Sequence, residues 1–322
     1  MRAAQITSLD GPAAVSVADI DEPLGADGAV VVDVHAAGVT FPDVLQTRGL
    51  YQYKPELPFV PGTEVAGVVR SAPDDAPVRP GDRVAAFPGI GGFAETVVVS
   101  PDAVFAIPDT LSFVAAAALP MNYLTVQFAL TRRGGLREGE TVLVHGAGGG
   151  VGTAAVQLAS ALGARVIAVT SSPEKGEVAR RVGAHEVIAP EGFRDAARDL
   201  TDGAGVDLVV DPVGGDRFTD SLRCLAPEGR LLVVGFTAGE IPTVKVNRLL
   251  LNNISVVGVG WGAFWGTRPG YLQQQWAELR PLVDDGVLDP PVGATYALDD
   301  VAAALIELDT RAAKGKVVLT LR

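Results

Sequence analysis

The sequence predicts an α/β protein with a barrel-like β domain over residues 1–120 and a doubly wound parallel sheet over 121–260. A segment at 261–322 is expected to return and complete the first domain. Three observations carry this prediction. The chain has 322 residues, and at about 150 residues per domain two domains are expected. Hydrophobic residues make up 48% and charged residues 20%, a balance that suits a large core and excludes disorder. The text also changes near residue 112, from short strands between turns to strands alternating with helices.

In the first part, Val30–Ala36, Glu64–Arg70 and Glu95–Val99 have the β-branched content of strands. Pro61-Gly62-Thr63, Pro80-Gly81-Asp82 and Pro88-Gly89 punctuate them. The longest apolar stretch, Phe113–Leu130, is interrupted by Pro120, Asn122 and Gln127. It reads as a buried helix and its approach, not as a membrane span. Beyond it, strands are expected at 141–145, 165–170, 186–188, 206–211, 230–236 and 255–260, with helices at 150–162, 173–182, 191–202 and 215–226. Continuous apolar strands alternating with helices mean a parallel sheet covered on both faces, and six strands suit a doubly wound sheet. After Gly260 come a helix at 270–286, a strand at 295–298, a helix at 299–310 and a strand at 316–321. That is too little for a domain of its own.

Composition excludes several functions. A net charge of −12 argues against nucleic acid or an anionic membrane surface as partner, since both need a positive field. The single cysteine, Cys224, leaves no disulfide framework and no cysteine-rich zinc module. His35, His145 and His185 lie on or beside strands and read as packing. The first residues have no apolar signal region, so a cytoplasmic location is expected.

One motif carries chemistry. Thr141–His145 runs straight into Gly146-Ala147-Gly148-Gly149-Gly150-Val151-Gly152 and then an apolar helix. Strand, glycine-rich turn and helix with the spacing Ala147-x-Gly149-x-x-Gly152 is the dinucleotide-binding context. Here Ala147, Gly149, Gly150, Val151 and Gly152 are expected to bring backbone N–H groups and a helix N-terminus to a pyrophosphate. The next strand ends in Thr170-Ser171-Ser172-Pro173-Glu174-Lys175. An NAD site places an acid at that strand end to hold the ribose hydroxyl. Two hydroxyls and a lysine instead suit the 2′-phosphate of NADPH. Ser172 also reads as a helix cap with Pro173 at the first position, and both roles can hold together.

Through these stretches the chain resembles the zinc-independent, zeta-crystallin-like quinone oxidoreductases of the medium-chain dehydrogenase/reductase superfamily along nearly its whole length. Further carriers of the likeness are Ala37–Asp43, Arg48–Tyr51, Leu57–Glu64, Gly81–Val84, Asp211–Gly215 and Lys314–Leu319. The resemblance implies a GroES-like β-barrel-type catalytic domain plus a doubly wound Rossmann domain, NADPH in the cleft between them, and a homodimer. It implies Thr40, Asp43 and Tyr51 as catalytic residues and Asn122 and Thr125 near the nicotinamide. Val213, Gly235, Phe236 and Lys316 join the cofactor contacts. Zinc-dependent relatives have a catalytic cysteine before the aspartate of the first stretch and Gly-His-Glu where this chain has Gly62-Thr63-Glu64. With neither ligand, no metal is expected. Two departures stand out: Thr40 where many relatives have Asn, and Pro190 where many have Tyr beside the adenosine phosphate.

Without zinc, the nicotinamide performs the redox step and the protein orients and polarises the acceptor. Tyr51 can donate to a carbonyl oxygen, or be an amphipathic rim residue. Thr40-x-x-Asp43 is also a capping-box spacing. Trp261, Phe264, Trp265, Tyr271 and Trp276 crowd one segment. The first three are expected to form a stacking wall for a quinone or enone, with plain packing as the alternative. An open edge of Val256, Val257 and Val259 predicts two-fold strand pairing between copies. The expected activity is hydride transfer from NADPH to a quinone or related electrophilic enone. An enoyl-thioester reductase is the second reading, although no basic cluster for a CoA diphosphate is seen outside the cofactor site. An NADPH-binding structural or regulatory protein is the third.

Overall fold

The computed structural model describes residues 1–23, 25 and 28–322. The chain divides into two compact units, one of residues 1–122, 269–284 and 289–322, the other of residues 123–268 and 285–288. The return therefore starts at Pro269 and not at 261. Trp261, Phe264 and Trp265 belong to the second unit, while Tyr271 and Trp276 belong to the first.

In the first unit, β1 (Arg2–Gln5) pairs with β2 (Ser16–Asp19). The long strand β3 (Val30–Val39) is buried along nearly all its length because it is shared by three neighbours. These are β4 (Glu64–Ser71), β6 (Thr96–Val99) and a strand met much later in the chain. β5 (Arg83–Ala86) and β7 (Val104–Ala106) extend the sheet beyond β4. Helix α1 (Phe41–Gln46) follows β3, and α2 (Phe113–Ala116) packs on it. The apolar stretch at 113–130 thus breaks into α2, α3 (Pro120–Gln127) and a π-helical turn at Phe128–Arg133, with Pro120 opening the second helix as proline does.

The second unit is the doubly wound sheet. Its strands are β8 (Thr141–Val144), β9 (Arg165–Val169), β10 (Glu186–Ile188), β11 (Val206–Asp211), β12 (Leu225–Val233) and β13 (Ser255–Gly258). All pair in parallel, in the order β10-β9-β8-β11-β12-β13, so the direction of winding reverses between β8 and β11. The crossovers are α4 (Gly150–Ala161), α5 (Pro173–Arg181), α6 (Phe193–Asp199) and α7 (Phe218–Cys224); α8 (Asn247–Asn252) and α9 (Trp261–Trp265) follow later. Leu143, Ile167, Val209 and Leu231 of the strands share one core with Phe193, Phe218 and Leu222 of the helices. Each such side chain contributes about 1.5–3 kcal/mol by leaving water. β12 begins five residues earlier than the expected 230, because Leu225 pairs with Val206 before the register shifts and Arg230 takes up with Leu208. Pro227 and Gly229 inside that bulge conceal it from a propensity reading.

The return segment supplies α10 (Tyr271–Asp284), β14 (Val292–Ala297), α11 (Val301–Asp309) and β15 (Lys316–Thr320). β15 lies between β14, parallel to it, and β3, antiparallel to it. Among the described residues no helix is long and apolar enough to cross a membrane.

Candidate functional site

The glycine loop lies where β8 delivers the chain at the carboxyl end of the sheet. Gly146 turns with φ +59°, a conformation that glycine adopts without strain. The Ala147 N–H donates to the Val169 carbonyl at 3.1 Å, tying the turn to β9. A Cβ on Gly152 would run into the Gly146 carbonyl oxygen and lie 2.7 Å from the Ala147 Cα, so α4 packs on the turn as only glycine permits. Gly149 is the N-cap of α4 and offers no side-chain acceptor. The first N–H groups, of Gly150, Val151 and Gly152, have no intrahelical partner and form a donor set for a phosphate.

Two neighbouring strand ends complete this cradle. After β9, Ser172 caps α5: its Oγ accepts the Lys175 N–H at 3.3 Å, with Pro173 in the first turn. A Cβ on Gly148 would lie 2.5 Å from the Lys175 Cβ and 2.9 Å from its Cγ. The lysine stem therefore lies across the glycine loop, beside the exposed Ser171. After β11, the buried Asp211 holds the next loop, its Oδ1 accepting the N–H groups of Val213 and Gly214, each at 2.9 Å. Burial raises the pKa of this carboxyl, against the opposing effect of those two bonds. Val213 faces Gly146, where a Cβ would stand 3.3 Å from its Cγ2, and Phe236 lies 3.0 Å from the Cβ position of Gly214. The Val213 carbonyl accepts the Ala238 N–H at 2.9 Å, and Gly235 crosses over Pro212. Asp211 was not singled out as a site residue from the sequence. Its signal is an acid directly after the apolar run Leu208-Val209-Val210.

In the first unit the expected catalytic residues separate into two kinds. Asp43 is fully buried. Its Oδ2 accepts the Thr40 N–H at 2.7 Å and the Thr40 hydroxyl at 2.6 Å, and its Oδ1 accepts the Gly62 N–H at 3.2 Å. Thr40 in turn meets Thr63, Oγ to Oγ, at 3.2 Å. The capping alternative is thus present, and Asp43 positions α1 and the Gly62 loop. Tyr51 differs. It is half-buried and its hydroxyl makes no hydrogen bond among the described residues. Burial, aided by the Asp43 charge, raises the pKa of its phenol, which keeps it a donor at neutral pH. Asn122 is 5% exposed and its amide also makes no hydrogen bond among the described residues. A nearly buried amide without a protein partner is open to a ligand or a water molecule. Thr125, buried on α3, belongs to the other unit.

Lys316, expected among the cofactor contacts, is held in a buried ion pair within the first unit. It is 4% exposed and its Nζ is paired with Glu64, which is fully buried. A buried ammonium needs a carboxylate, and Glu64 takes that role. Phe264 also has other company: its ring meets Phe128 at 4.9 Å and carries the guanidinium groups of Arg268 at 3.8 Å and Arg132 at 4.6 Å. Trp261 is buried and tilted against Trp265 at 5.9 Å. All three side chains thus have ring neighbours within their own unit, Trp261 buried and Phe264 and Trp265 partly exposed.

His145, the last residue before the loop, is fully buried, with Nε2 2.8 Å from the Ser221 Oγ and its ring edge-on to Phe193. Burial lowers its pKa to about 3, so it is neutral. Among the described residues no group of three His, Cys, Asp or Glu side chains is placed to hold a metal ion.

Burial pushes the Asp43 carboxyl from the ordinary 3.8 up to about 6. A raised folded-state value means that its contribution is most favourable below 3.8 and is lost as pH rises through 6. Between pH 4.5 and 7.5 the wild type should therefore lose about 2 kcal/mol relative to Asp43→Asn. Urea denaturation of both proteins at the two pH values checks this, and equal losses in both would refute it.

Two family models match the chain: an alcohol dehydrogenase GroES-like domain over residues 26–109 and a zinc-binding dehydrogenase domain over residues 150–284. The human quinone oxidoreductase is 32% identical over 100% of this chain and 98% of that protein. A probable oxidoreductase from Mycobacterium abscessus, known from its crystal structure, is 49% identical with a TM-score of 0.91, covering 100% of this chain and 99% of that one. The quinone oxidoreductase from Thermus thermophilus, solved also in complex with NADPH, is 36% identical with a TM-score of 0.86, and each chain is fully covered.

Proposed function

Because the chain belongs to the zinc-independent quinone oxidoreductase branch of the medium-chain dehydrogenase/reductase superfamily, we propose that it reduces quinones, or closely related enones, with NADPH. The observation that carries the cofactor is the stem of Lys175 lying over Gly148 at the end of β9, where an NAD site would have a carboxylate. The N–H groups of Gly150, Val151 and Gly152 would take the pyrophosphate, and Ser171, Ser172 and Lys175 the 2′-phosphate. The free amide of Asn122 suits the polar edge of the nicotinamide. NADPH when bound supplies the hydride. The protein then has to hold the acceptor and furnish a hydrogen bond where negative charge develops. Tyr51, with a protonated and unpartnered hydroxyl, is the candidate donor of that bond on the first unit, and Trp265 is the candidate aromatic face on the second.

The test is NADPH oxidation against ortho-quinones, para-quinones, enones and crotonyl-CoA. Quinones should turn over fastest, and Trp265→Ala should raise KM for quinones more than for small aliphatic enones. Faster reduction of crotonyl-CoA would make the protein an enoyl-thioester reductase. Tight NADPH binding with no turnover of any acceptor would make it a binding protein.

A further inference from the structure

Four arginines that are far apart in the sequence meet on the second unit. Arg194 and Arg198 stand one turn apart on α6, Arg223 lies near the end of α7, and Arg248 is on α8; they line a surface cleft of about 450 Å³. This corrects the expectation that no basic cluster exists outside the cofactor site. The arginines never form a run, and only the packing of three helices brings them together.

Their charges are not balanced. Asp195 pairs with Arg194 at 2.7 Å, and Asp220 pairs with Arg223 at 2.8 Å and with Arg194 at 3.7 Å. Arg198 donates to the carbonyls of Gly203 at 2.7 Å and Arg223 at 3.3 Å, which orient its guanidinium and cancel no charge. The Arg248 guanidinium makes neither hydrogen bond nor ion pair among the described residues. Two carboxylates against four guanidinium groups leave an excess of two positive charges, on a chain whose net charge is −12. Such concentrated like charge repels itself unless an anion joins it.

The cleft is also distant from the glycine loop along the strands. It is floored where β12 begins, at Leu225, and where β13 is about to begin, at Ile254. These are the amino ends of the strands, whereas the glycine loop follows the carboxyl end of β8. The floor residues are already buried, so the cleft offers mainly guanidinium groups. Their planar forks match phosphate oxygens two at a time, and the volume exceeds what inorganic phosphate alone would fill.

We propose that this cleft binds the phosphomonoester or diphosphate dianion of a small organic molecule, a nucleotide or sugar phosphate, at a site separate from the dinucleotide. Calorimetric titration of the protein saturated with NADP⁺ tests it, at about 50 mM ionic strength where screening is weak. The titrants are inorganic phosphate, ribose 5-phosphate and ADP. At least one organic phosphate should bind one to one with Kd below about 1 mM and more tightly than inorganic phosphate. Arg248→Gln should weaken it by about tenfold, and Arg198→Gln with Arg248→Gln by about a hundredfold. Since Arg248 supports no neighbour through its guanidinium, Arg248→Gln should keep the wild-type Tm and NADP⁺ affinity, so a loss of binding reports on the cleft and not on folding. The proposal is overturned if no titrant saturates, if Arg248→Gln binds like the wild type, or if inorganic phosphate binds as tightly as the organic phosphates.

Discussion

Lys316→Met should destabilise the protein by about 3–5 kcal/mol, because it strands the fully buried Glu64 carboxylate without its counter-charge. Glu64 has no route to water. Its Oε2 already accepts the Met121 N–H at 2.7 Å, and a Cβ on Gly38 would lie 2.8 Å from its carboxyl carbon. Removing the charge on both sides should restore most of the loss: Glu64→Gln with Lys316→Met keeps an acceptor for Met121 and leaves no buried ion. Urea denaturation of the single and double variants measures both effects. A single variant within 1 kcal/mol of the wild type would show that the pair is not closed to solvent. If Lys316 instead served the cofactor, the single variant would keep its stability and lose affinity for NADPH.

Lys175→Ala should weaken NADPH by roughly 10- to 150-fold and leave NADH nearly unchanged. The basis is a charge-assisted contact to the 2′-phosphate worth about 1.5–3 kcal/mol, at about 1.4 kcal/mol per factor of ten. The lysine stem lies beside Gly148 of the glycine loop. Ser172→Asp is the complementary variant. Aspartate caps a helix as well as serine does, so α5 should persist while a negative charge stands beside the phosphate. Measured kcat/KM values for both cofactors decide the matter. A wild type that prefers NADH, or a Lys175→Ala variant that weakens both equally, would move the phosphate pocket elsewhere.

The parts that could be read from the sequence are those fixed by neighbours along the chain. The glycine loop, the missing acid after β9 and the six alternating strands are local patterns, and each marks its own place in the parallel sheet. The bulge in β12 is not legible in the sequence because it exists only through the pairing of Leu225 with Val206. Asp43 could be read both ways, since capping and catalysis use the same spacing; the capping bonds and the burial of its carboxyl appear only in the fold. Lys316 lies 252 positions from Glu64 in the sequence, and no periodicity reports a partner so distant. The arginine cleft is hidden for the same reason, with charges dispersed over three helices.

The placement of β15 has a consequence for the order in which the molecule forms during synthesis. One edge of β3 is completed by β6 at Val30–Asp33 and by β15 at Ala36–Val39, yet β15 lies beyond the whole of the six-stranded unit. At about 5–20 residues per second, the ribosome takes roughly 15–55 s to travel from one strand to the other. The six-stranded unit, nearly continuous in sequence, can close during that interval, while the valine-rich β3 waits with half an edge unpaired. Unpaired apolar edges are where nascent chains associate wrongly. The first unit to be translated is therefore the last to be finished, and its need for chaperones is set by the distance to a strand it cannot yet reach.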